Sequence, residues 1–407
     1  MNDDTGRMTA DSALHADALR ILRGLAAQLA RIHRPKEYAR WREGAVRSAD
    51  EDLAGATPFS DFADCWIFTG DGGYGAATGR FGNWAIDRLV EKIPPEEMIR
   101  QFQAEARRNS AVYREICPIF GVQIADPYAL ADGVELVPSA REFFSNPPQL
   151  WHYSSPPLPL GTCALVQAFT VSPAFERRAP EAKAPTASSA TNPDRDSREA
   201  VRQSVRLACL LASGGAVELP LSMFEPDRKN LLAAGEGGQA QRPLHSLPVA
   251  TLPTDPARIK EHYGQLVSFR NVDSLARAID RLGRSRLAKN PVDQALDLGM
   301  AAEIALMHGR GSSNAGIAFK IGTRAAWLLG SDSADRAIIF SDIRKLYDAR
   351  SKAVHSGVLT SMSHVELYLA DALVTRILRG IVERGAFPDW DLLVLGGGPV
   401  AEGKAGR

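Results

Sequence analysis

Lys320-Ile-Gly-Thr-Arg-Ala-Ala-Trp-Leu-Leu-Gly330 and Ile343-Arg-Lys-Leu-Tyr-Asp-Ala-Arg-Ser-Lys-Ala-Val-His-Ser-Gly357 decide the reading of this chain. Both runs are helical in pattern. Gly330, Ser331 and Asp332 separate them, and Ser356-Gly357 closes the second, since glycine just past the last turn accepts the left-handed conformation that ends a helix. Working outward, the spacing of apolar residues predicts helices over about 272–288, 292–308, 314–329, 333–356 and 362–384. Asn290-Pro291 supplies an N-cap followed by a proline in the first turn, and Gly309 and Gly311 end the second of these helices. Helices joined by short loops predict an antiparallel bundle over 265–385, followed by a C-terminal tail at 386–407.

Upstream the pattern changes. Arg198 to Leu211 reads as one more helix, ending near Gly214-Gly215, and the rest of 198–264 reads as an irregular connection. Residues 173–197 are rich in Pro, Ala and Ser, with Phe175 as their aromatic residue, which predicts a flexible linker or surface loop. Residues 1–172 read as an α+β region. Leu14, Ala18, Leu22, Leu25 and Leu29 predict a helix over 12–33 that Pro35 closes. Met98, Phe102, Ala106 and Val112-Tyr113 predict a second over 95–116. Short strands are expected at Cys65–Phe68, Val134–Val137 and Thr162–Val171, with a proline-rich stretch at Asn146–Pro159. The expected architecture is thus an α+β N-terminal region followed by a mainly α C-terminal region.

The chain has 407 residues, enough for two or three domains, and its 45% hydrophobic and 24% charged content is that of a globular protein. A net charge of zero excludes a globally basic nucleic-acid coat while leaving room for local basic patches. Met1 to Asp11 is polar and lacks the basic-then-apolar order of a secretory signal, and no stretch reaches the ~18 uninterrupted apolar residues of a membrane span. Cys65, Cys117, Cys163 and Cys209 are scattered, which predicts buried free thiols rather than a zinc site or disulfide framework. A cytoplasmic location, no membrane partner, no metal and no cofactor are the corresponding expectations.

The two opening runs, together with Asp297-Leu-Gly-Met-Ala-Ala-Glu303, resemble the Apea-like branch of the HEPN superfamily over about 265–385. The resemblance is weaker over Arg198 to Gly215 and absent before the linker. It implies a HEPN-type helical bundle whose Arg-x4-His motif, Arg350 to His355, is the active site of a metal-independent endoribonuclease. Such proteins commonly act in phage defence, arresting the infected cell, or as toxins of toxin–antitoxin pairs. Two protomers usually join their motifs in one composite cleft. RNA, a second copy of the chain, and an antitoxin or phage-derived trigger are the implied partners, with the N-terminal region sensing that trigger or restraining the nuclease. A non-catalytic module that binds RNA, nucleotide or a partner protein is the alternative.

The residue chemistry is compatible with this. RNA carries its own nucleophile, the 2′-hydroxyl. A histidine exchanges protons near neutrality, and an arginine stays charged and hydrogen-bonds a phosphate as negative charge develops. Five residues separate Arg350 from His355, about 140° around a helix. One helix therefore places them poorly for a shared phosphate, so a two-fold pairing of helices or a break at Ser356-Gly357 is expected. Ser351 lies one turn before His355. Asp348, two turns before it, is placed to orient the imidazole or to pair with Lys352. Taken alone, an arginine and a histidine in a last helical turn are also favourable simply through the helix dipole and the terminal carbonyls.

Glu303 shares a stripe with Met300 and Met307, and Arg324 lies between Ile321 and Leu328. Opposite charges on facing apolar stripes predict a Glu303–Arg324 pair that fixes helix register or supports the motif from behind. Arg277, Arg281 and Arg284 share a face and form either a phosphate-tracking stripe for RNA or a solvated surface. Gly70-Asp-Gly-Gly-Tyr-Gly75 matches a dinucleotide fingerprint in letters, but Ala76 to Trp84 brings further glycines and aromatics, so a glycine-rich turn is expected. His152 reads as a packed loop residue, and His245, His262, His308 and His364 show no metal-ligand spacing.

Overall fold

The structure is a computed structural model and describes residues 15–68, 74–77, 79–139, 161–177, 195–226, 237–240, 250–309, 316–359 and 362–396. In chain order its elements are helices α1 (Ala16–Leu29) and α2 (Pro35–Ala54), strands β1 (Cys65–Phe68) and β2 (Tyr74–Ala76), and helices α3 (Phe81–Val90) and α4 (Pro95–Arg108). Strands β3 (Ala111–Pro118), β4 (Val122–Gln123), β5 (Tyr128–Ala131), β6 (Val134–Val137), β7 (Ala164–Val171) and β8 (Phe175–Arg177) follow, then helix α5 (Arg195–Ser213) and strands β9 (Leu221–Pro226), β10 (Gly237–Ala240) and β11 (Leu252–Pro253). The remainder is helical: α6 (Pro256–Val267), α7 (Val272–Leu287), α8 (Pro291–Leu306), α9 (Ile317–Leu329), α10 (Ser333–Ser356), α11 (His364–Val382) and α12 (Trp390–Val394). Antiparallel sheet lies in the N-terminal half and helices fill the C-terminal half, as the α+β reading expects. Among the described residues no helix is long and apolar enough to cross a membrane.

The chain divides into two units, Met1–Ile116 with Val166–Ser197 and Leu221–Gln241, and Cys117–Leu165 with Arg198–Pro220 and Arg242–Arg407. The units interleave along the chain rather than meeting at one linker. In the first, β1 pairs antiparallel with both β2 and β8, and the larger sheet runs β10-β9-β3-β7. Aromatic rings fill this core: Phe59 stacks on Phe102 at 4.5 Å, and Phe62 meets Phe175 edge-on at 5.0 Å.

Several sequence expectations change here for identifiable reasons. Pro35 opens α2 at its first turn instead of only closing the preceding helix. The helix expected over 95–116 stops at Arg108, because Asn109 takes the left-handed conformation (φ 45°), and the β-formers Val112, Tyr113 and Ile116 continue as β3. The Asn109 side chain then accepts hydrogen bonds from the Ala174 and Phe175 N–H groups and donates to the Phe175 carbonyl. Phe175–Arg177 is thereby a strand rather than the start of a linker, while 178–194 lies outside the described residues. The glycine-rich 79–83 segment opens α3, where Gly82 lets the backbone approach the Val46 carbonyl and donates to Asp50 at 2.8 Å. The expected irregular 216–262 segment holds β9, β10, β11 and the start of α6, and Trp390 in the expected tail is buried at the start of α12. The Gly70–Gly75 run ends in the antiparallel β1–β2 pairing, with 69–73 outside the described residues, as are Asn146–Pro159, His152 and His245.

In the second unit, α8 packs against α7, α9, α10 and α11. Its sequence explains this: Ala295, Leu298, Gly299, Ala301, Ala302, Ala305 and Leu306 are buried, and Asp293 is its one exposed residue. Two arginines of this unit are engaged at the end of α5. The Arg286 guanidinium binds both oxygens of Asp371 (2.9 and 2.8 Å), the Thr375 hydroxyl, and the carbonyls of Leu210 and Gly215. Arg379 donates to the Leu211 carbonyl at 2.8 Å. These two arginines satisfy carbonyls at the end of α5 that helix geometry leaves without partners. Asp371→Ala leaves Arg286 unpaired and is expected to cost about 3–5 kcal/mol, read from urea unfolding followed by helical circular dichroism; a loss below ~1 kcal/mol would mean that water replaces the carboxylate.

Candidate active site

Helix α10 carries Arg350 and His355. The Asp332 carboxylate starts it by accepting hydrogen bonds from the Ala334 and Asp335 N–H groups, both at 2.9 Å. Its buried face is Ile339, Ile343, Leu346, Ala349 and Ala353. Before it, the Arg-Ala-Ala-Trp-Leu-Leu-Gly run acquires physical meaning. Ala325 and Ala326 are small and buried, and a Cβ at Gly322 would sit 2.7 Å from the Phe340 ring, so α9 and α10 approach closely. The Arg336 guanidinium lies 4.0 Å over the Trp327 ring and donates to the Gly330 carbonyl, fixing the turn between the helices.

Arg350 follows the buried Ala349, so its side chain lies at the edge of the α10 core face and extends along α8. A Cβ added at Gly299 would stand 2.7 Å from both Cβ and Cγ of Arg350. One turn further along α8, Glu303 Oε2 is 3.2 Å from Arg350 Nη2, with side-chain exposures of 31% and 25%. The pairing is one of charge rather than of hydrogen-bond geometry, since Glu303 Oε2 and Arg350 Nε are buried without a hydrogen-bond partner. The Tyr347 ring lies 5.7 Å from the guanidinium carbon.

Helix α10 is unbroken to Ser356, and Gly357 ends it in the left-handed conformation (φ 66°). His355 therefore keeps its helical angle to Arg350 within one chain, and no break lets the two converge. His355 is exposed and has no hydrogen-bond partner among the described residues. Val354 and Val358 near it in sequence are exposed, as are Val365, Tyr368 and Leu369 at one helical face of α11, Tyr368 by 73%. Ser351 is half-buried beside Arg350. Asp348 and Lys352 are both exposed, and the expected ion pair between them is not among those formed by the described residues.

The expected Glu303–Arg324 pair is replaced. Glu303 turns to Arg350, and Arg324 Nη1 donates instead to the Leu306 carbonyl at 2.6 Å and lies near Met307 Sδ. The reason is local. Arg324 stands at the C-terminal end of α8, where carbonyls lack helical partners, and stacks 5.4 Å over Trp390. The arginine face on α7 is also reduced. Arg281 pairs with Asp297 at 2.9 Å and Arg277 donates to the Ser274 hydroxyl, leaving Arg277 and Arg284 exposed. Gly299 and Tyr347 are the site residues that sequence reasoning missed. The available signal was a glycine in a helix interior, tolerated there at about 1 kcal/mol relative to alanine.

Among the described residues no group of three or more His, Cys, Asp or Glu side chains is placed to hold a metal ion. No protein-family model, curated protein or solved structure matches the chain. Gly299→Ala tests the brace. Despite the better helix propensity of alanine, overpacking against the Arg350 stem is expected to lower stability by about 1–3 kcal/mol in chemical denaturation; an unchanged or raised midpoint would show that Arg350 is not held there.

Proposed function

We propose that this chain is a HEPN-type endoribonuclease that cuts RNA without a metal ion, with Arg350 and His355 as its reacting groups. The observation that carries the reading is the setting of Arg350: an arginine packed on Gly299 and paired with Glu303 is held in place with guanidinium N–H groups still available, on the helix that presents an open histidine. His355 takes the proton from the 2′-hydroxyl or gives one to the 5′-oxygen. The 2′-oxygen attacks phosphorus, the bond to the 5′-oxygen breaks, and the products are a 2′,3′-cyclic phosphate and a 5′-hydroxyl. Arg350 binds the phosphate as its charge grows. Glu303 is a positioning residue.

The unbroken helix between the two residues supports a homodimer, in which Arg350 of one copy meets His355 of the other. Val354, Val358, Val365, Tyr368 and Leu369 supply apolar surface for that contact. Arg277 and Arg284 are suited to track the RNA backbone. Control by the N-terminal unit, in response to a phage-derived trigger or through an antitoxin, completes the proposed role in antiviral defence. A second reading, a module that binds RNA or a partner without cutting, draws on His355 having no hydrogen-bond partner to set its tautomer.

Incubation with RNA in EDTA tests the reading. Cleavage that persists under chelation, ends in a 2′,3′-cyclic phosphate, and falls at least ~100-fold in both Arg350→Ala and His355→Ala is expected. Equal cleavage by the variants, or abolition by EDTA, would overturn it, and binding without cleavage would favour the second reading.

A further inference from the structure

Between the C-terminal end of α8, the middle of α9 and the α11–α12 connection lies a cavity of about 450 Å³, within the roughly 300–1,000 Å³ typical of small-ligand sites. Its walls combine flat rings with positive charge that is only partly engaged. The His308 imidazole stacks on the Phe387 ring with centroids 3.8 Å apart and planes 21° from parallel, and Phe269 backs Phe387 edge-on at 5.5 Å. Arg324 uses Nη1 on the Leu306 carbonyl, and its other donors have no hydrogen-bond partner among the described residues. Arg270 is exposed, with only its backbone N–H engaged, by the Gly385 carbonyl.

The acids in the wall do not cancel this. The Asp389 carboxylate is engaged by the Asp391 and Leu392 N–H groups. Asp391 lies near enough to Arg324 to raise its pKa, yet burial dominates and lowers it, so an anion arriving there meets a partly desolvated, under-compensated cation. Burial, and then the charge of Arg277, lower the pKa of His308, which favours the neutral ring. Trp390, 4% exposed, closes the floor of the cavity beneath the Arg324 guanidinium.

We propose that this cavity binds a nucleoside phosphate, its base stacked on the His308–Phe387 pair and its phosphate held by Arg270 and Arg324. Two guanidinium groups suit a phosphate better than a single carboxylate, and a ring-on-ring platform suits a base. The ligand arises either as a free nucleotide or as one residue of an RNA strand. The site stands independently of the ribonuclease reading. Its wall includes Met307, whose N–H bonds the carbonyl of Glu303 at 2.9 Å, so the same last turn of α8 carries the Arg350 partner and the cavity edge.

Isothermal titration of the full chain with AMP, GMP, CMP and UMP, and separately with a 2′-O-methylated pentanucleotide that lacks the nucleophile, tests this. At least one mononucleotide is expected to saturate the protein, with ribose 5-phosphate and the bare nucleoside at least tenfold weaker. Arg270→Gln and Phe387→Leu, at an exposed and a conservatively replaced position, should each weaken binding tenfold or more. Lys345→Gln, at an exposed position on α10 outside the cavity wall, should leave mononucleotide binding unchanged, which ties any loss to the cavity. Binding of the pentanucleotide alone, weakened by Arg270→Gln, would place the source in the RNA strand. Absence of binding by every probe at millimolar concentration, or binding indifferent to both cavity variants, would overturn the proposal.

Discussion

Arg350 occupies the space that a side chain at position 299 would need, and Glu303 meets its guanidinium one turn further along the same helix. That contact ties the two central helices of the second unit together. Helix α8 is surrounded by α7, α9, α10 and α11, and its run of alanines and one glycine allows this crowding. A larger residue at Gly299 would push the Arg350 stem outward and draw the guanidinium away from Glu303. The carboxylate alone would then face a partly buried position without its counter-charge, which is why neither partner is replaceable independently.

The remaining charges of the bundle follow the same logic of engagement. Arg286 and Arg379 take up the carbonyls at the end of α5, Arg281 pairs with Asp297, and Arg324 takes the end of α8. Each is a basic residue that sequence inspection alone would offer to a ligand. Among the charges that stay open are His355 and part of Arg350 on α10, Arg277 and Arg284 on α7, and Arg270 with the remaining donors of Arg324 around the cavity. Function, on this account, belongs to the charges that the fold leaves unsatisfied.

The helical unit was largely legible in the sequence because its signals are local. The Gly330-Ser331-Asp332 break, the Asn290-Pro291 start and the Gly357 stop set helix ends that the structure reproduces within a few residues. The first unit was less legible. Asn109 ends a helix whose apolar period continues without interruption into β3, and Phe175 forms a strand through partners at Asn109 and Phe62 that lie far away in sequence. Short strands such as β8, β10 and β11 draw their stability from such long-range pairing, which no local pattern reveals. At the site, Arg350 and His355 stood out by their motif. The exchange of Glu303 from Arg324 to Arg350 depends on which turn of α8 each arginine reaches, a fact of packing rather than of periodicity.

The helical angle between Arg350 and His355 makes the central claim a claim about two chains. Co-expressed Arg350→Ala and His355→Ala chains, purified as the mixed dimer through two different tags, test it most directly. On the proposed mechanism each parent variant would lack one reacting group in every cleft, whereas the mixed dimer would hold one cleft with Arg350 from one copy and His355 from the other. The account predicts that the mixed dimer regains a substantial part of the parent rate of RNA cleavage, about half if the clefts act independently. A mixed dimer as inactive as either variant alone would contradict it.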